Sequence, residues 1–281
     1  MTNHNKSIVG IELETNIDPD LINVSVLEAN RYVTGYGKIY DEETNKIYDP
    51  EGYKNLIAGR MFKHKATTIF NIDCSGRDGN GIEFRFSPRT YETFAENYVI
   101  VKSFLDNLVE YKFQKFGSTT AGIHIHLDRS EFTVKTLELV SRFLSAVKNS
   151  FLMSFTNRKS RFTECGGEGF TLKSLSETNF QNYAMNSGRS NIQLNSVGAK
   201  TVEFRIFNSV LDPCRFYSFI EFILAVKDYC SQETEKVIMS MKDFSNFVSE
   251  KRPEYYSLIK ELVSWGFITK VPTPVIENAG N

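Results

Sequence analysis

Apolar and polar residues alternate along four short segments of the chain, the pattern of a strand that buries one face. The segments run over 8–15, 82–86, 123–128 and 201–207. In the last of them the alternation predicts Val202, Phe204 and Ile206 on the buried face and Phe207 on the polar face. Shorter runs predict a hairpin over 38–48 and strands over 67–73 and 191–196.

Five further segments carry apolar residues at helical spacing. They lie at 90–112, after Ser130, from Pro213 onward, near 242–249 and at 254–265. Ser130 is expected to cap the helix that follows it, because a serine hydroxyl accepts hydrogen bonds from backbone N–H groups. Residues 74–81 and 158–190 follow neither period and are expected to form loops.

The polar face of every clear strand argues against a parallel sheet, whose buried strands would read as continuous apolar runs. Strands and helices are also mixed along the chain. An antiparallel sheet with helices packed on one face accounts for both observations. We therefore expect an α+β protein.

Composition and charge narrow the class of protein. The 281 residues include 33 basic and 34 acidic side chains, and this balance excludes a globally basic nucleic-acid coat and an acidic disordered chain. The four cysteines form no Cys-x-x-Cys pair, so neither a zinc ribbon nor a disulfide framework is expected. Without an apolar leader or a long apolar run, we expect a cytoplasmic protein that binds neither membranes nor nucleic acid.

The residues on the polar strand faces are the main functional signal. Four strands each carry two chemically active residues spaced two apart: Glu12 and Glu14, Glu83 and Arg85, His124 and His126, and Glu203 and Arg205. Residues spaced in this way share a face and lie about 6.5–7 Å apart. A single sheet with all four strands would gather these carboxylates, imidazoles and guanidinium groups on one surface.

Carboxylates crowded on one surface repel each other, at a cost of about 3 kcal/mol for two charges about 5 Å apart. Two arginines do not neutralise such a surface fully, whereas a divalent cation does. Oxygen ligands with one imidazole suit Mg²⁺ or Mn²⁺ better than zinc. The alternative, for each pair taken singly, is an exposed strand face with cross-strand salt bridges.

Five short motifs stand in a fixed order: Gly10-Ile-Glu-Leu-Glu14, Asp73-Cys-Ser75, Gly81-Ile-Glu-Phe-Arg-Phe-Ser87, Gly122-Ile-His-Ile-His126 and Thr201-Val-Glu-Phe-Arg-Ile-Phe207. Together they resemble the amidoligase family, a branch of the carboxylate–amine ligases with the glutamine synthetase fold. The resemblance runs from about Ile8 to Tyr229. It implies a curved antiparallel sheet around a funnel that holds ATP and metal ions. It also implies a catalytic domain over 1–232, and leaves 233–271 as a helical extension packed on it and 272–281 as an extended or disordered tail.

The same resemblance implies roles for individual residues. The implied metal ligands are Glu12, Glu14, Glu83, His124 and Glu203. Arg205, Arg85 and His124 are the expected contacts of the nucleotide, and Arg205, His126 and Glu83 are the expected catalytic residues. Asp73 and Ser75 are expected near the substrate. Three arginines of the irregular segment are further candidates for holding a carboxylate substrate: Arg158, Arg161 and Arg189.

These residues predict an ATP- and Mg²⁺-dependent (or Mn²⁺-dependent) ligase that joins a small-molecule or peptide carboxylate to an amine through an acyl phosphate. No counterpart of the ammonium-binding loop of glutamine synthetases is found, so glutamine synthesis itself is not implied. Several members of the family lie in phage genomes, and a phage-encoded ligase would act in the host cytoplasm. Two alternatives stay open: a metal-dependent hydrolase or phosphotransferase, and a catalytically silent binding or structural protein.

Overall fold

The fold was analysed in a computed structural model. It describes residues 6–16, 39–41, 44–48, 50–76, 81–111, 113, 121–147, 151–156, 192–194, 200–232 and 239–269.

The described strands are β1 (Ile8–Asn16), β2 (Ile39–Asp41), β3 (Lys46–Tyr48), β4 (Asp73–Gly76), β5 (Gly81–Thr90), β6 (Gly122–Asp128), β7 (Ile192–Leu194) and β8 (Thr201–Asn208). Six of them form one open sheet in the order β4-β5-β1-β6-β8-β7, and each neighbouring pair in it is antiparallel. Strands β2 and β3 form the expected hairpin. The expected α+β class with an antiparallel sheet is confirmed.

The described helices are α1 (Pro50–Met61), α2 (Lys65–Phe70), α3 (Tyr91–Glu96), α4 (Tyr98–Glu110), α5 (Val134–Val147), α6 (Met153–Thr156), α7 (Pro213–Cys230), α8 (Met241–Glu250) and α9 (Tyr256–Ser264). The single helix predicted over 90–112 is thus two helices, which meet at Asn97. Within the described part of the chain, none of the helices combines the length and the apolar character that a membrane span requires.

Helices pack on the apolar face of the sheet, mainly through phenylalanine rings. Phe86 of β5 meets Phe104 of α4 edge-on, with ring centroids 5.6 Å apart. At the other side of the sheet, Phe207 of β8 stacks on Phe219 of α7 at 4.4 Å. All four rings are buried. Because the helices cover this face, the charged residues of the same strands are left on the opposite one.

The segment over 67–73 differs from its prediction as a strand. Residues 67–70 lie in α2, whose N-terminus is capped by the ring of His64, and the next strand, β4, begins only at Asp73. Thr67, Thr68 and Ile69 favour strands when taken alone, but tertiary packing overrides a weak propensity. Of the residues predicted to form a loop over 74–81, residues 74–76 belong to β4 and pair with β5, Gly81 begins β5, and 77–80 lie outside the described residues.

The predicted cap of α5 is also wrong. Ser130 lies in a short 3-10 turn, and its own backbone N–H donates to Oδ1 of Asp128 at 2.8 Å. The helix begins at Val134, and the hydroxyl of Thr133 accepts from the N–H of Thr136 at 3.0 Å. The sequence therefore contains two successive caps, and the second one starts the helix.

An irregularity in the pairing of β6 with β8 explains the misplacement of Phe207. Glu203 pairs with His126 and Phe204 with Ile125, but the register shifts by one residue before Phe207 pairs with Ile123. Such a bulge reverses the faces of the residues beyond it. Phe207 therefore joins the apolar face, although the simple alternation assigns it to the polar one.

The C-terminal helices lie against the long helix α7 through a buried carboxylate. Oε2 of Glu221 accepts from the N–H of Leu258 in α9 at 2.6 Å, and Oε1 accepts from the hydroxyl of Tyr91 at the same distance. Burial raises the pKa of Glu221 from its ordinary 4.5 to about 7. The division of the chain at residue 232 into a domain and an extension stays a prediction.

The start of β1 is held by a second buried charge. Nζ of Lys227 in α7 donates to the hydroxyl of Ser7 at 2.6 Å and contacts the carboxylate of Glu131. The same carboxylate accepts from Ser7 at 2.6 Å and from the N–H of Ile8 at 3.2 Å. This network fixes the strand that carries Glu12 and Glu14 to the helical layer beneath it.

Candidate metal centre

The strand register places the charged residues on one face of the sheet. Glu12 of β1 lies opposite Arg85 of β5 on one side and opposite His124 of β6 on the other. His126 lies opposite Glu203 of β8. Residues that pair across neighbouring strands project to the same face. The four adjacent strands β5-β1-β6-β8 therefore present their charged pairs together.

His124 lies at the centre of three carboxylates. Its Nδ1 is 3.0 Å from Oε2 of Glu12 and 3.4 Å from Oε1 of Glu203. Its Nε2 is 3.7 Å from Oε2 of Glu14. The side chain of His124 is 1% exposed. The imidazole thus lies on the buried side of the cluster and contacts carboxylates from both neighbouring strands.

Glu12 is the carboxylate whose electrostatics are most strongly altered. Burial by itself would raise its pKa, but the contacts with His124 and His126 outweigh burial and hold the pKa well below its ordinary value. The ionised carboxylate can only accept hydrogen bonds. Nδ1 of His124 therefore donates to Glu12.

His126 lies above the backbone of β1 and reaches the same carboxylate. Its Nε2 is 3.5 Å from Oε1 of Glu12. Its strand partner is Gly10, where a Cβ would lie in ordinary contact, 3.4 Å from Cβ of His126 and 3.5 Å from Cγ of Pro88.

Three residues of this cluster offer ligand atoms that a metal ion could share. One atom each from Glu12, His126 and Glu203 lie within 4.8 Å of one another. The Nε2 atoms of His124 and His126 are buried without a hydrogen-bond partner in the described part of the chain. Orphaned imidazole nitrogens beside carboxylate oxygens form a donor set that fits Mg²⁺ or Mn²⁺.

The remaining predicted residues form a second group at the edge of the sheet. Arg85 contacts Asp73 of β4 at 2.9 Å and Glu83 at 3.4 Å. Ser75 pairs with Glu83 in the register, and Glu83 pairs with Glu14. This edge group therefore adjoins the central cluster on the same face.

Arg205 belongs to the central cluster, where it contacts Oε1 of Glu203 at 2.6 Å. Its side chain is 29% exposed, so the guanidinium group is reachable from solvent. Three predicted substrate contacts lie outside the described residues: Arg158, Arg161 and Arg189.

Comparison with solved structures finds chains of similar fold. No family model matches the chain, and no curated protein matches it. A solved structure of the complex between the prokaryotic ubiquitin-like protein Pup and its ligase PafA contains a chain with a TM-score of 0.43 and 10% sequence identity. The match covers 93% of the present chain and 62% of that chain, which is less than two thirds of its length.

Proposed function

We propose that the protein is an ATP- and Mg²⁺-dependent ligase that joins a carboxylate to an amine, on a glutamine synthetase-like fold. The observation that carries this proposal is the convergence of Glu12, Glu14 and Glu203 on His124. An arginine stands at the rim of this acidic cluster. Phosphoryl transfer from ATP requires carboxylates that bind metal ions. It also requires a positively charged side chain nearby that binds phosphate oxygens.

The proposed metal ligands are those of the polar sheet face: Glu12, Glu14, Glu83, His124 and Glu203. Divalent metal, when bound there, would neutralise phosphate oxygens and orient the γ-phosphoryl group of ATP. The proposed ligands lie on the four neighbouring strands β5, β1, β6 and β8, and the backbone pairing holds the strands in register. A rigid sheet suits this task, because phosphoryl transfer depends on positioning and on fixed charge.

Arg205 is proposed to hold the oxygens of the migrating phosphoryl group. A guanidinium fork matches phosphate oxygens with two parallel hydrogen bonds. In the structure it contacts Glu203, so the same side chain orients a proposed metal ligand. Arg85, which is about half exposed at the sheet edge, is proposed as a second contact of the nucleotide.

The reaction has two steps. First, a carboxylate oxygen of the substrate attacks the γ-phosphorus of ATP, the bond to the bridging oxygen breaks, and ADP leaves. The amine nitrogen then attacks the carbonyl carbon of the acyl phosphate, inorganic phosphate leaves, and the nitrogen loses a proton. His126 and Glu83 are partly exposed on the same face and are proposed to accept that proton.

Both substrates belong to broad classes. The carboxylate is proposed to come from a small molecule or a peptide, and the amine from an amino acid, a polyamine or a protein side chain. Asp73 and Ser75 at the sheet edge are proposed substrate contacts, together with the three arginines of the irregular segment. The proposed place of action is the cytoplasm.

An array of carboxylate and amine pairs tests this function, with ADP formation as the readout. ADP that forms only when both partners and Mg²⁺ are present supports the ligase. Hydrolysis of a phosphoester without ATP would instead identify a metal-dependent hydrolase on the same cluster. Absence of ATP–Mg²⁺ binding in calorimetry would contradict the ligase and favour a silent binding protein.

A further inference from the structure

We propose that a cavity between α4, α9 and the start of α7 binds a small organic monocation, an alkylammonium ion whose apolar stem lies on the cavity floor. The volume of the cavity is about 450 Å³. Ligand pockets range from roughly 300 to 1,000 Å³. Helices α4 and α7 pack on the apolar face of the sheet, so the cavity lies on the other side of the sheet from the charged cluster. The proposal therefore does not rest on the proposed function.

The floor of the cavity is apolar. Val210 and Leu211, which connect β8 to α7, line it and are 2% and 1% exposed. Val109 of α4 and Pro213 of α7 line it as well. These four side chains carry no group that donates or accepts a hydrogen bond. A ligand with an alkyl stem removes apolar surface from water there, and this favours binding.

Three carboxylates also line the cavity, and two of them lack a cation. Asp106 of α4 is paired with Lys102 at 2.5 Å. Oδ1 of Asp212 accepts from the N–H of Arg215 at 2.8 Å, which caps α7 but supplies no full positive charge. Within the described chain, neither Asp212 nor Glu261 of α9 takes part in a salt bridge.

The neighbouring cations leave one negative charge uncompensated. Arg215 lines the cavity, but its Nη2 donates to the carbonyl oxygen of Phe155 at 2.8 Å. Lys260 of α9 lies over the ring of Tyr256, 4.3 Å from its centroid. The lining thus holds three acidic groups and one guanidinium group, and Lys102 offsets one further acid. A ligand with a single positive charge is complementary to this lining.

The two properties together select the class of ligand. An inorganic cation would leave the apolar floor uncovered, and a neutral apolar molecule would leave the charge without a partner. An ammonium group on an alkyl stem satisfies both, and so does the side chain of a lysine in a peptide, which has the same chemistry.

Saturation-transfer NMR titration of the full-length protein at pH 7 tests the proposal with n-hexylamine, which is protonated at this pH. We expect saturable binding, and roughly threefold or more weaker binding of n-hexanol, which has the same stem without the charge. Hexanoate should bind most weakly, since the carboxylates repel it. Nα-acetyl-lysine amide carries the same ammonium group on a peptide unit, and its affinity relative to hexylamine distinguishes a peptide from a free amine as the source.

One variant removes charge from the cavity and keeps its shape. In Glu261→Gln the affinity for hexylamine should fall by roughly threefold or more, while the affinity for hexanol stays unchanged. Glu138→Gln is the matched control, the same change on α5, and should bind hexylamine as the wild type does. Equal affinities for hexylamine in the two variants would overturn the role given to the carboxylates.

A second variant fills the cavity and leaves the charges in place. Val109→Phe should abolish the binding of hexylamine and of hexanol, because the larger side chain occupies the floor. Val99→Phe is the control on the same helix, where the side chain is 73% exposed. Circular dichroism checks that all variants fold. Three results would overturn the proposal: no saturable binding of hexylamine to the wild type, hexanol or hexanoate binding as tightly as hexylamine, or hexylamine binding that survives Val109→Phe.

Discussion

Phe207 and Phe219 stack with ring centroids 4.4 Å apart and ring planes 20° from parallel. Phe207 is the residue just beyond the bulge of β8, two positions after Arg205. The shift in register therefore does two things at once: it leaves Arg205 in contact with Glu203 and turns Phe207 into the core. Packing of the core and placement of a candidate site residue depend on the same irregularity.

Truncation of this ring is expected to be costly. Phe207→Ala should lower the free energy of unfolding by about 3–5 kcal/mol, because a buried phenylalanine leaves a cavity. Val99 is 73% exposed, and Val99→Ala should change the free energy of unfolding by less than about 0.5 kcal/mol. Urea unfolding measures both values. Similar values for the two variants would place Phe207 on the solvent side, as the simple alternation does.

Removal of one cluster charge should weaken cation binding and leave the fold intact. Glu203→Gln is expected to weaken Mn²⁺ binding by roughly tenfold or more and to stop metal-dependent ATP turnover. The control is Glu138→Gln, the same chemical change on the surface of α5, where Glu138 lies 3.8 Å from Arg142. Wild-type affinity and turnover in the Glu203 variant would remove this residue from the site.

The buried carboxylate of Glu221 should make stability fall as pH rises. Its pKa is about 7 in the folded chain and near 4.5 when unfolded, so between these values the folded state holds a proton that the unfolded state has lost. Stability therefore decreases from about pH 4.5 to 7, by about 3 kcal/mol in all, and the loss is complete above pH 7.

Glu221→Gln should remove this part of the pH dependence. The amide can accept from Leu258 and donate to the oxygen of Tyr91, and it does not titrate. Urea unfolding of both proteins between pH 5 and 8 gives the difference between their free energies of unfolding. The contributions of all other titrating groups cancel in this difference. Parallel stability curves would show that Glu221 titrates at its ordinary pKa.

The ring of His64 should stabilise α2 only while it is neutral. Its Nδ1 accepts from the N–H of Ala66 at 3.0 Å, and burial lowers the pKa of the ring. A lowered pKa means that this stabilisation is complete above the ordinary value of 6.5 and is lost as pH falls through the folded value.

Two substitutions at this cap separate its charge from its hydrogen bond. His64→Ala should cost about 1 kcal/mol at neutral pH, since the N–H of Ala66 loses its acceptor. His64→Asn keeps an acceptor that does not titrate, so its stability should decline less in acid than that of the wild type. Thermal unfolding from pH 5 to 8 compares the stabilities of the three proteins. If wild type and His64→Asn lose the same stability in acid, the imidazole is excluded as the cause of that loss.

Local pattern was sufficient to predict the central strands and the residues on their polar face. Glu12, His124 and Glu203 stand out because a strand repeats every two residues, and each charged residue has a partner at that spacing. Their convergence could be expected only by assuming that the strands share a sheet. Sequence alone does not give the strand order, because pairing joins residues that are 112 positions apart, as for Glu12 and His124.

Three features were beyond local pattern for identifiable physical reasons. The segment at Thr67 is helical because packing outweighs its β propensity. The residue types around Arg205 do not indicate a bulge, so the prediction that Phe207 lies on the polar face was wrong. Glu221 is a single acid within the apolar run of α7, and this position could have signalled a buried carboxylate with partners elsewhere in the fold.

The strand order also sets the moment at which the cluster can exist during folding. Strand β1 stands between β5 and β6, and β8 joins only through β6, so residues 12, 126 and 203 meet only after pairings across nearly 200 positions of sequence. Closure of such long loops is slow and comes late. Cation binding by this cluster would thus report that the nascent chain has paired β1, β6 and β8, and a partly folded chain would not bind the ion.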